Sequence, residues 1–237
     1  MNKPVLLACL ACWATSLPAS AASDESAAEA RAILDAAGVK GGLVVHVGCR
    51  DGNLTAALHA GESYLVQGLS NDPAVVDAAR KAIQARGLYG PVTAERFDGR
   101  RLPYIDNSVN LLVSEDLGRV PADEVMRVLC PGGVAQVKTG GKWVRTVKPR
   151  PADIDDWTHY MHDAGGNAVA HDTVIGPPQR LQWQAGPQWG RHHDRMSSIS
   201  ACVTSGARVF YIIDEAPRAS ILTPPDWQLV ARDAFNG

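Results

Sequence analysis

Apolar and polar positions follow two periods over the first 138 residues, and both periods then fade. Ser26–Ala37 has helical composition and closes at Gly38. Leu43–Val47 is an apolar run that predicts a strand, and Leu54–Ala60 predicts a helix. Tyr64–Leu69 predicts a second strand. Pro73–Arg86 predicts a helix with Asp72 as N-cap, Pro73 at its first position and Gly87 closing it. Val92–Arg96 and Val109–Ser114 predict strands three and four, the fourth apolar enough for burial on both faces. Pro121–Leu129 predicts a helix ended by Pro131-Gly132-Gly133, and Val134–Lys138 a fifth strand. Strands alternating with helices imply βαβ units, so the expected fold class is α/β with a mostly parallel, Rossmann-like sheet.

From Thr139 onward Gly, Pro and Trp become frequent and helical periodicity disappears. Residues 139–156 read as a linker in which Trp143–Val147 could form one more strand. Residues 157–237 read as β-rich, with strand candidates at Leu181–Gln184, Ser198–Thr204, Arg208–Asp214 and Gln228–Arg232. The expected units are therefore an α/β domain over 22–138, a linker over 139–156 and a β-rich region over 157–237.

Residues 1–21 have the pattern of a signal peptide. Lys3 supplies a positive start, Val5 to Ala14 an apolar stretch, and Ala19-Ser20-Ala21 an A-x-A cleavage site. The apolar stretch is shorter than the roughly 20 residues a bilayer span needs. The expectation is export to the periplasm or cell envelope, with a mature chain starting near Ala22. Cleavage would remove Cys9 and Cys12, leaving Cys49, Cys130 and Cys202, an odd number that allows at most one bridge. A formal net charge of -2 gives no basis for nucleic-acid binding.

Four segments carry a resemblance. Leu43–Gly52 (LVVHVGCRDG) is strand, glycine loop and helix entry, the opening unit of a nucleotide-binding fold. Tyr64–Pro73 (YLVQGLSNDP), Phe97–Asp106 (FDGRRLPYID) and Glu124–Lys138 (EVMRVLCPGGVAQVK) follow it. In that order they resemble class I S-adenosylmethionine (SAM)-dependent methyltransferases, in a type 11-like form. The resemblance implies SAM as cofactor and a group of contact residues: Gly48, Cys49, Arg50 and Gly52 in the first loop, Ser70 and Asn71 after strand two, Asp98 and Gly99 after strand three.

Several positions differ from the family pattern. His46 takes the acidic position of strand one and Arg50 the middle glycine of the loop. Arg50 either blocks the loop or meets the cofactor's carboxylate. Ser70 takes the place of the acid that would accept both ribose hydroxyls. Asn110 replaces the last Asp of the family's D-x-S-F-D, and Cys130 the Lys before Pro-Gly-Gly. The resemblance implies that Asp98 meets the adenine amino group, whereas the residues alone also fit an Asp in a turn. Glu115, after strand four, is the candidate base or substrate contact.

In the second half, Ala231–Gly237 (ARDAFNG) resembles the turn of PQQ-type (quinoprotein-like) β-propeller repeats, and Arg208–Asp214 the inner strand of such a blade. The resemblance implies an incomplete propeller holding about one blade where about four to eight are needed, hence a fragment of a longer protein. Such a region would bind a small molecule, a polymer or a protein. His159, His162, His171, His192 and His193 cluster here, with Asp163, Asp172 and Asp194 beside three of them. No pair has a recognised metal spacing, so no metal ligand is assigned. A metal, a propeller-face ligand and simple loop ties remain open. The functional expectation is methyl transfer from SAM to an unnamed acceptor. The alternative is a catalytically degenerate, exported scaffold or ligand-binding module attached to a propeller.

Overall fold

Five strands of the chain line up in parallel in the order β3-β2-β1-β4-β5, with a sixth, β6, antiparallel at the edge. The computed structural model describes residues 19–174, 176–177, 181–185, 199–216 and 223–237. The predicted n-region and apolar stretch of the signal peptide, as well as His192, His193 and Asp194, lie outside them. Among the described residues no helix is long and apolar enough to cross a membrane.

The elements run α1 (Ala19–Ala37), β1 (Gly42–Val47), α2 (Asn53–Ala57), β2 (Tyr64–Ser70), α3 (Pro73–Ala85), β3 (Val92–Arg96), β4 (Val109–Ser114), α4 (Ala122–Val128), β5 (Leu129–Thr139) and β6 (Lys142–Val147). The helix α1 runs through the predicted cleavage motif and the predicted Ala22 start. It buries Ala30, Ile33, Leu34 and Ala37, a one-sided helical spacing, and stops at Gly38 (φ 72°), whose N–H bonds Leu34 O at 2.9 Å. In α3 the Asp72 carboxylate accepts the Ala74 N–H at 2.8 Å, as the sequence predicts.

The core has two layers, one on each face of the sheet. Leu111 and Val113 of β4 pack with α1, α2 and α3 on one face. Val109 and Leu112 pack with Val125 and Val128 of α4 and with Leu102 on the other. Such fully buried aliphatic side chains each contribute about 1.5–3 kcal/mol, and β4 carries four of them, Val109, Leu111, Leu112 and Val113.

Three predicted boundaries move. The second helix ends at Ala57 rather than Ala60. Pro131-Gly132-Gly133 lies inside β5 rather than before it: Leu129 is already extended and pairs with Val109, and a register shift between Val109 and Leu111 absorbs the turn. The Gly133 position is tight, since a Cβ there would stand 2.8 Å from Cys130 O. Finally, residues 142–147 extend the first sheet, so the linker begins after Val147.

A second sheet is antiparallel, in the order β7-β8-β9: β7 (Ile199–Ser205), β8 (Arg208–Asp214) and β9 (Trp227–Asp233). Leu181–Gln184 is not a strand. Its side chains bridge the sheets instead, Gln182 Nε2 donating to Asp106 O and Phe235 O, and Trp183 Nε1 to Ala234 O. The turn after β9 docks at the amino end of β4. Asn110 Nδ2 donates to Asp233 Oδ2 at 2.8 Å, and Asn236 Nδ2 donates to Ser108 O at 2.7 Å and to Asn110 Oδ1. Asn110 Oδ1 also accepts the Leu43 N–H at 2.9 Å. A cleft of about 740 Å³ remains beside this joint, at the end of the sheet away from the glycine loop. Among the described residues this second unit is one three-stranded sheet, one strand short of a four-stranded blade. Cys49 and Cys130 are buried and Cys202 exposed, all three as free thiols.

Candidate active site

Strand order reverses between β1 and β4, so the loops leaving their carboxyl ends part around a crevice, the place where open α/β sheets take ligands. The loop Gly48–Gly52 forms one wall. Gly48 and Gly52 have φ of 84° and 81°, and Arg50 between them is left-handed at 43°. Gly52 is required twice over, because a Cβ would also stand 2.9 Å from Ala79 Cα in α3. The Gly48 and Cys49 amides both bond Leu69 O, at 2.8 and 3.1 Å. Cys49 is buried, and burial pushes its thiol up to about 11.

The helix after the loop, α2, has only five residues, and its first amide, Asn53 N–H, is bonded by Asp51 Oδ1 at 3.0 Å. His46 does not face the crevice either. It lies under α2, its Nδ1 2.8 Å from Thr55 Oγ1 and its Nε2 without a partner among the described residues. Burial, then the Arg50 charge, pulls its pKa down to about 4, so it is neutral at pH 7.

Arg50 reaches across the crevice. Its guanidinium meets Glu115 Oε2 at 3.0 Å, and Glu115 Oε1 lies 3.5 Å from Lys138 Nζ. Lys138 in turn lies 3.6 Å from Glu29 and sits over the Trp143 ring at 5.4 Å. Glu115 is thus held between two cations, which does not suit a free general base. Lys138, Glu29 and Arg119 were missed in the sequence, because they come from separate elements with no motif of their own.

The remaining predicted contacts come together on the β2–β3 side. Ser70 Oγ accepts the Asp72 N–H at 3.2 Å. Asn71 lies against Gly99, where a Cβ would stand 3.3 Å from Asn71 Nδ2 and from Arg119 Nη2. Arg119 Nη2 also donates to Asp98 O at 3.3 Å. Asp98 Oδ1 accepts the Arg100 and Arg101 amides, both at 2.8 Å, and these bonds hold its carboxyl below the usual range. Its Oδ2 accepts no hydrogen bond from a described residue. Asp98 is therefore a turn residue with one oxygen left for a ligand.

Two residues of the E-x-x-R stretch hold this loop in place. Glu124 Oε1 accepts the Leu102 N–H at 2.7 Å, and Arg127 donates to Leu102 O, Tyr104 O, Asp106 and Glu124. The pairing with Arg127 lowers the Glu124 pKa.

Residues 44–133 match the family model of the methyltransferase domain. That segment runs from β1 through the Pro-Gly-Gly turn, and with the strand order it makes the first unit a Rossmann-like methyltransferase fold. Two solved structures are similar to the chain. One, from Methanococcus maripaludis, is assigned as an S-adenosyl-L-methionine-dependent methyltransferase: 21% identity, 50% of this chain, 57% of that chain, TM-score 0.46. The other is geranyl diphosphate C-methyltransferase from Streptomyces coelicolor: 20% identity, 46% of this chain, 44% of that chain, TM-score 0.43. The chain thus spans about half the length of these structures. No protein of curated function matches it.

Proposed function

We propose that the loops at the carboxyl ends of β1 to β4 hold SAM and that the chain transfers the cofactor's methyl group to an acceptor. The observation that carries this reading is that the residues singled out by the resemblance, Gly48 to Gly52, Asn71, Asp98 and Gly99, all follow the carboxyl ends of adjacent parallel strands within the segment that matches the methyltransferase domain. The donor set fits in most respects. Asp98 Oδ2 can accept from the adenine amino group, and Gly99 lets the Asn71 and Arg119 side chains close in beside it. Ser70 offers a single hydroxyl to the ribose. Arg50 can reach the cofactor's carboxylate once it leaves Glu115. When bound, SAM supplies an activated methyl group, and the protein's task is to position it and exclude water.

Calorimetric titration of SAM and S-adenosylhomocysteine into the whole chain tests this. Micromolar binding is expected, weakened about tenfold or more by Asp98→Ala, the loss of one hydrogen bond to a charged group. Glu115→Gln should tighten binding by freeing Arg50, and Arg50→Ala should weaken it. No binding by folded protein would overturn the reading and return the fold to a scaffold role. Two proposals rest on sequence alone and accompany it: export directed by residues 1–21, and a blade-like binding role for β7–β9.

A further inference from the structure

Between β6 and β7, residues 148–174 form no helix or strand beyond a paired bridge at His159 and His162. Three side chains of this loop nevertheless converge. One ligand atom from each of Asp155, His162 and His171 lies within 4.8 Å of the other two. Asp155 Oδ2 is 2.7 Å from His162 Nε2 and 3.5 Å from His171 Nδ1. The two imidazoles stand edge to face, 5.0 Å between centroids.

His162 is held in place. It is 3% exposed, covered by the edge of Trp157, and left-handed at φ 74°. Reciprocal amide bonds with His159, at 3.0 and 3.1 Å, lock that conformation, which a non-glycine residue seldom adopts unaided. Its second nitrogen, Nδ1, lies 3.6 Å from Asp163 Oδ2. Asp155 Oδ2 also accepts the His171 backbone N–H at 2.9 Å, so this one oxygen draws both histidines to it and brings their rings together.

We propose that Asp155, His162 and His171 bind a divalent transition-metal ion of the zinc type. Two imidazoles and a carboxylate suit such an ion, and donors in a tetrahedral zinc site stand about 3.3 Å apart, as bond lengths of about 2.0–2.1 Å require. His162 coordinates through Nε2 while Nδ1–H faces Asp163, the carboxylate-histidine-metal arrangement that fixes a ligand's tautomer. The ion clips a loop without a core of its own, and the loop is tied to the second sheet through Trp157 N to Thr204 Oγ1 and Thr204 N to Trp157 O, both 2.7 Å. The site is independent of the SAM reading.

The test uses the whole chain, stripped with chelator and titrated with Co²⁺ and then Zn²⁺. One equivalent of Co²⁺ should give tetrahedral visible absorption that Zn²⁺ abolishes. His171→Ala, at an exposed side chain whose loss the fold tolerates, and Asp155→Asn should each weaken uptake about tenfold or more. His159→Ala should leave it unchanged. No uptake by the folded chain, or uptake unaltered by both His171→Ala and Asp155→Asn, overturns the proposal.

Discussion

His46 stands where the resemblance places an acid, and it is a buried neutral imidazole with one nitrogen unpartnered among the described residues. Its folded pKa, about 4, lies below its ordinary value of 6.5. Between those values the unfolded chain binds a proton that the folded chain refuses, so stability falls as pH drops from 6.5 toward 4. The loss amounts to about 3 kcal/mol for this one group. Urea unfolding at a series of pH values should show that slope, and His46→Gln should flatten it by that amount relative to wild type. Equal slopes would mean that His46 is protonated in the fold. The same residue shows where motif reading stops. The position was legible, but the side chain's direction was not, because the strand's pleat sends it under α2 rather than into the crevice.

At the scale of elements, the short helix α4 acts as a clamp. Arg127 donates to three groups of the loop 102–106 and to Glu124, and that loop follows shortly after Asp98 and Gly99. Arg127→Ala leaves the Glu124 carboxylate unpaired at 12% side-chain exposure. The expected cost is about 2 kcal/mol in denaturant unfolding, with weaker SAM binding as the loop loosens. A variant as stable as wild type would show that the loop holds without it. Strand positions were legible because buried parallel strands are continuous apolar runs, and β3 and β4 fall where the pattern puts them. The end of the fourth helix was not, because Leu129 is apolar in either conformation and only its pairing with Val109 makes it a strand. The site was legible where glycines and Asp98 mark turns. Its ion-pair wall was not, since Arg50, Glu115, Lys138 and Glu29 meet only through the folded topology.

For the molecule as a whole, the two sheets are joined by a small set of polar contacts at the end of the first sheet remote from the crevice. Asn236→Ala removes the bonds to Ser108 O and Asn110 Oδ1, which are worth about 1–3 kcal/mol together. Limited proteolysis should then cut the loop 148–174 faster while the β1–β5 core persists. Unchanged cleavage would place the joint's strength elsewhere, in Trp183 and Gln182.

The joint and the crevice grip the same strand. Asn110 near one end of β4 holds the second sheet, and Ser114, about 13 Å away at strand spacing, leads into Glu115 at the other end. Because β4 is bonded on both sides, to β1 and to β5, a load arriving at Asn110 is carried in shear along two ladders at once instead of peeling one open. Traction on the second sheet is therefore borne by an interior strand of the first sheet rather than by its edge.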